Sequence, residues 1–80
     1  MISIQFFGMQ RAITKTDSIP MPLSENARVH DALEYVRQQY PDLHLDEGMV
    51  FITVNHEKAS PERVLKANDT VSFVPFISGG

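Results

Sequence analysis

The chain has no cysteine, which excludes a disulfide framework, a thiolate metal site and a thiol nucleophile of its own. If sulfur chemistry takes place here, another protein supplies the sulfur. Positive charge is also scarce: the net charge is −3 and the seven cations are scattered from Arg11 to Lys66, so no basic footprint for nucleic acid exists and none is expected to bind. No apolar run approaches the roughly eighteen residues that a membrane span needs. The first residues lack a basic region followed by a hydrophobic segment and a cleavage site, so no membrane association and a cytoplasmic location are expected. What remains is ordinary globular material. With 42% hydrophobic and 21% charged residues, disorder is disfavoured, and 80 residues allow one domain of modest stability.

Ile2, Ile4 and Phe6 alternate with Ser3, Gln5 and Phe7, the period of a strand with one face in a core, and Gly8 ends it. Residues 9–15 read as a loop or turn. Thr16 to Leu23 form a poor strand, and because Pro20 and Pro22 each remove a ladder donor it belongs at a sheet edge. Val29, Ala32, Leu33, Val36 and Tyr40 make one helical stripe, which Pro41 ends. Ser24 and Asn26 are the candidate caps of this helix, and Asp31 suits the positive end of its dipole. Glu34 and Arg37 fall on its solvated side, and Asp46-Glu47-Gly48 reads as a turn. Val50, Ile52 and Val54 alternate as a second strong strand, Asn55-His56 turn into a short strand near Glu57 to Ala59, and Ser60-Pro61-Glu62 signals a single helical turn. Val71, Phe73 and Pro75 belong to the last strand.

A hairpin, a helix and returning strands, with one main helix covering one face of a mixed sheet of about five strands, is an α+β fold of the β-grasp, ubiquitin-like kind. In it the first and last strands lie side by side at the centre. The expected core is Ile2, Ile4, Phe6, Val29, Leu33, Val36, Ile52, Val54, Leu65, Val71 and Phe73. Strict alternation then turns Phe7, Phe51, Val74 and Phe76 to the other side of the sheet, where a one-sided sheet should be polar. An apolar patch in that place marks a partner surface unless Met9, Met21 or Met49 folds over it.

The sequence finishes Phe76-Ile77-Ser78-Gly79-Gly80, and two glycines in those positions arise by chance in roughly one chain in 200. Without a Cβ, such a tail can thread a channel one peptide wide. Residues 1–74 are read as the β-grasp domain and 75–80 as a flexible tail. The opening Ile2-Ser3-Ile4-Gln5-Phe6-Phe7-Gly8 with Arg11 after it, the Val29-His30-Asp31-Ala32-Leu33 helix start, Val54-Asn55 and the stretch from Asp69 to Gly80 together resemble the MoaD family, the small subunit of molybdopterin synthase, among the ThiS/MoaD ubiquitin-like sulfur carriers. The chain departs from many relatives at Phe76, where Pro-Pro is common, at Arg28, where they have a small hydroxyl residue, and at Ala12, where Glu is frequent.

The resemblance implies a carrier with no catalytic residues and no bound cofactor. Gly80 is adenylated by a ubiquitin-activating-type (MoeB-like) enzyme that consumes ATP, receives sulfur from a persulfide donor as a thiocarboxylate, and delivers it in the large subunit of molybdopterin synthase for molybdenum cofactor synthesis. Ser78 and Gly79 form the tip of the tail. Phe7, Phe51, Val74, Phe76 and Ile77 would meet the partners, with Arg11 as a possible salt contact. Thiamine or tRNA thiolation and ubiquitin-like modification of proteins share the same first step and stay open. His30, His44 and His56 match no metal-ligand spacing, Asp42, Asp46 and Glu47 read as a solvated turn, and Ser24, Ser60 and Ser78 have no nucleophile context.

Overall fold

The computed structural model describes residues 1–43, 45 and 50–75. Its elements are β1 (Ile2–Gln5), α1 (Met9–Thr14), β2 (Ser18–Met21), α2 (Val29–Gln39), β3 (Val50–Val54), β4 (Glu57–Lys58) and β5 (Thr70–Pro75). The five strands form one sheet in the order β2-β1-β5-β3-β4. β1 and β5 run parallel at its centre, with Ile4 opposite Val71, and the other pairings are antiparallel. The expected central pair is therefore present, and β2 sits at an edge, where Pro20 lies opposite Ser3.

All eleven expected core residues are buried, most of them below 5% exposure. Val29, Ala32, Leu33 and Val36 place one stripe of α2 against the inward side chains of β1, β3 and β5. Met21, Ala27, Ala32, Leu43, Leu45 and Val50 are buried as well. Phe6 meets Tyr40 edge-on, with ring centroids 5.9 Å apart. On the outer side of α2, Arg37 donates to Glu34 at 2.8 Å and to the carbonyl of Leu45 at 2.8 Å, which ties the chain after the helix back to it.

Three local expectations are corrected. Residues 9–14 are a helix rather than a loop: Met, Gln, Arg and Ala favour one, but the residues it buries are Gln10 and Thr14, so no inward apolar period announces it. Ser60-Pro61-Glu62 forms one hydrogen-bonded turn, with Arg63 N–H donating to the Ser60 carbonyl at 3.1 Å, but it is not helical. Its neighbours spend their backbone groups elsewhere, since the carbonyls of Pro61 and Arg63 accept from the N–H groups of His30 and Val29, and Leu65 N–H donates to Ala27. The same contacts explain the third correction, which concerns the start of α2. The N-cap is Arg28 rather than Ser24 or Asn26, and its side chain caps nothing; the Asp31 carboxylate accepts from Arg28 N–H at 2.8 Å while the 61–63 segment meets the next two donors. The expected turn at Asp46-Glu47-Gly48 lies outside the described residues.

Candidate docking face and root of the tail

The side of the sheet away from α2 carries residues in rows set by strand register. One row runs Gln5, Ser72, Thr53, Lys58 across β1, β5, β3 and β4, and another joins Ser3 to Thr70. Both are polar. The next row toward the end of β5 pairs Val74 with Phe51, each half-buried, and Phe7 lies two residues beyond Gln5 at that same end of the sheet, 41% exposed. Phe6 is buried and Phe7 is not, as the alternation requires. Of the methionines that could have covered this row, Met9 is 77% exposed and Met21 is in the core, while Met49 lies outside the described residues. Ile13, on the same short helix as Met9, is also exposed, so α1 turns Gln10 and Thr14 inward and Met9 and Ile13 out.

Arg11 belongs to α1 and lies 3.6 Å from the carboxylate of Asp17. Both side chains are largely exposed, so the pair is well screened and leaves the guanidinium accessible. Phe76, Ile77, Ser78, Gly79 and Gly80 lie outside the described residues, as does His44. His30 and His56 are exposed, and among the described residues no group of His, Cys, Asp or Glu could hold a metal ion.

The feature that sequence reasoning missed is Gln10. β1 stops at Gln5, opposite Ser72, yet β5 continues to Pro75, so among the described residues the end of β5 has β3 on one side and no strand on the other. Gln10 occupies that place. Its Nε2 donates to the Phe73 carbonyl at 2.6 Å and its Oε1 accepts from Phe7 N–H at 3.0 Å, so the carboxamide bridges the two chains as a strand would, at 5% exposure. The sequence carries no signal for it, since the two apolar alternations, residues 2–7 and 71–76, have the same length.

At the opposite end of β5 a second polar lock holds the entry to the strand. Asn55, in the left-handed region at φ 53°, donates from Nδ2 to Asp69 at 2.9 Å and accepts from Thr70 N–H at 3.0 Å, while the other oxygen of Asp69 accepts from Lys66 N–H at 2.8 Å. Burial by itself raises the Asp69 pKa, but these hydrogen bonds and the charges of Arg63 and Lys66 outweigh it and hold the carboxyl below its ordinary value.

This arrangement, a mixed sheet with a parallel central pair and one long helix across one face, is the ubiquitin-like β-grasp. The family model for the ThiS family matches residues 4–80, and the chain belongs to that family, whose members are ubiquitin-fold sulfur carriers of the ThiS/MoaD type. No curated protein matches by sequence. Among solved structures, a protein described as molybdopterin converting factor subunit 1 from Pyrococcus furiosus is 26% identical at a TM-score of 0.83, covering 95% of this chain and 97% of that one. The small archaeal modifier protein 1 from Methanosarcina acetivorans is also 26% identical, at a TM-score of 0.79 with 99% and 95% covered. Subunits 1 and 2 of the molybdopterin-converting factor from Helicobacter pylori form a solved complex whose matching chain shares the fold at 24% identity and a TM-score of 0.67, with 99% and 97% covered.

Proposed function

We propose that this protein is the sulfur carrier of molybdenum cofactor synthesis, the small subunit of a molybdopterin synthase, with Gly80 as the residue that bears the sulfur. The observation that carries the reading is the position of β5: the strand that leads to Gly79-Gly80 is central in the sheet and ends beside the apolar row of Phe7, Val74 and Phe51. Body and tail thus have separate tasks. The row docks on a partner while residues 75–80, at most about 20 Å long when extended, carry the carboxyl group into a pocket. Phe76 and Ile77 follow in the sequence as further apolar residues for the partner, and Gly79 adds no side chain before Gly80.

A terminal carboxylate, with a pKa of about 3.5, is ionised at neutral pH and is a poor acyl donor. A ubiquitin-activating-type enzyme remedies this by joining it to the α-phosphate of ATP, with pyrophosphate leaving. A persulfide donor then attacks the acyl adenylate and expels AMP, and cleavage of the new sulfur–sulfur bond by a thiol leaves the thiocarboxylate. The large synthase subunit receives that sulfur. Apart from the Gly80 carboxylate, whose oxygen attacks the α-phosphate, every acid, base and nucleophile in these steps comes from the partners, and ATP is consumed by the activating enzyme rather than held by this chain.

The test is to incubate the protein with an activating enzyme, ATP and a sulfur source and to weigh the intact chain. Exchange of one oxygen for sulfur at Gly80 is the expected result. A second reading, a ubiquitin-like modifier, is supported by the equal identity to the small archaeal modifier protein, and attachment to lysines in the same experiment would establish it instead. Thiocarboxylate that a thiamine or tRNA system consumes and the molybdopterin synthase large subunit does not would reassign the pathway.

A further inference from the structure

We propose that Gln10 is a positioning residue for the chemistry at Gly80: by standing in for the missing end of β1 it fixes the direction in which β5 leaves the sheet. This rests on the carrier reading above. Among the described residues the β1 side of β5 has no strand partner beyond Ser72: Phe7 N–H, the next donor on that side after those of Ser3 and Gln5, goes to Gln10 Oε1 at 3.0 Å, while Phe6 N–H faces β2 and meets the carbonyl of Asp17 at 2.9 Å. Phe73 is fully buried, so without Gln10 its carbonyl would lose its acceptor role out of reach of water. Gln10 is in turn set by the turn before it, where Gly8 at φ 54° opens α1 and Gln10 N–H donates to Phe7 at 3.0 Å.

The lever arm makes this matter. Once a partner's channel holds the tail extended over about 20 Å, a tilt of about 10° at its root displaces the far end by about 3 Å. Errors of that size at a reacting carboxylate cost far more rate than binding, because the docked body remains where it was. Gln10 therefore acts on the turnover of the adenylating enzyme and little on the affinity of the carrier for it.

Gln10→Met keeps the volume and removes both hydrogen bonds. At a temperature where the variant is fully folded, its adenylation, read as ATP–pyrophosphate exchange by the activating enzyme, is expected to show kcat lowered about tenfold with KM for the carrier changed less than about threefold. The amide of Val74 should exchange with solvent faster in the variant alone. Gln10→Glu supplies a rescue that a packing role would not show. Its carboxylate can accept from Phe7 but repels the Phe73 carbonyl, whereas the protonated acid restores both bonds, so kcat relative to wild type should rise between about pH 8 and about pH 6. Phe6, Phe7, Phe73 and Val74 around it do not titrate, and Arg11 on the same helix is turned outward to Asp17. Unchanged kcat in Gln10→Met, or a Gln10→Glu ratio flat with pH, overturns the proposal, and the second measurement decides alone if the Met variant does not fold. Failure of the wild type itself to be adenylated counts against the carrier reading instead, and the Val74 exchange rate still decides whether Gln10 pins β5.

Discussion

At the scale of single residues, the exposed aromatic on the open face and the held carboxylate at the start of β5 make opposite kinds of prediction. Phe7 is 41% exposed and contributes little to the core, so Phe7→Asp should weaken binding to the activating enzyme or the synthase large subunit by about tenfold or more while thermal unfolding shifts by a few degrees at most. Titration calorimetry against each partner, beside a melting curve, checks both halves. Asp69 concerns folding alone. Its carboxyl is held below the value of an unfolded chain, about 3.9, so the stability it contributes is complete above that value and is lost as pH falls through the lower folded one. Asp69→Asn should accordingly be less stable than the parent near neutrality, and the gap should narrow as pH falls below about 4, as urea midpoints measured across that range will show. Neither Gln10 nor Asp69 could be singled out beforehand. A buried amide or carboxylate is recognisable only when the backbone groups it satisfies are known, and one of the two that Gln10 meets lies 63 residues away.

At the scale of elements, what alternation and periodicity encode was legible, and what hydrogen bonding between distant segments decides was not. β1, α2, β3 and β5 stand out because each has an apolar face that must be buried, and the two prolines rightly put β2 at an edge. α1 has no such face. The 60–63 segment carries a proline start signal, yet its carbonyls cap α2, an arrangement that no local pattern expresses. The open face was half legible: Phe7, Phe51 and Val74 fall where alternation puts them, while the amide that braces their end of the sheet had no period to reveal it. Gly8 links the two cases. Its φ of 54° and ψ of −124° are closed to ordinary L-residues, although a Cβ there would meet nothing within 4 Å. Gly8→Ala should therefore destabilise the domain by about 1–3 kcal/mol through backbone strain alone, measurable by denaturant unfolding. It should also slow adenylation in the manner of Gln10→Met, since the turn places Gln10.

At the scale of the whole molecule, stability and chemistry separate along the chain. Among the described residues Phe73 is the last buried side chain, and the proposed reactive group is Gly80, so removing Gly80 should leave the melting temperature within error and abolish formation of thiocarboxylate or conjugate. Circular dichroism and intact mass on the same preparation test the two halves together. The sheet borders also bear on solubility. β2 is interrupted by Pro20 and β4 is two residues long, so neither border offers a long template to another chain, and the open face remains available for chosen partners.

The position of β5 has one more consequence, for synthesis in the cell. The strand made last is the one that β1 and β3 both require on their inner borders, so a nascent chain halted before residue 70 leaves two strand edges unpaired and its interior open to proteases and chaperones. Only a polypeptide translated through β5 can close the sheet. Folding thereby acts as a proofreading step: the bodies that survive to meet an activating enzyme are those whose translation has reached the strand from which the diglycine hangs.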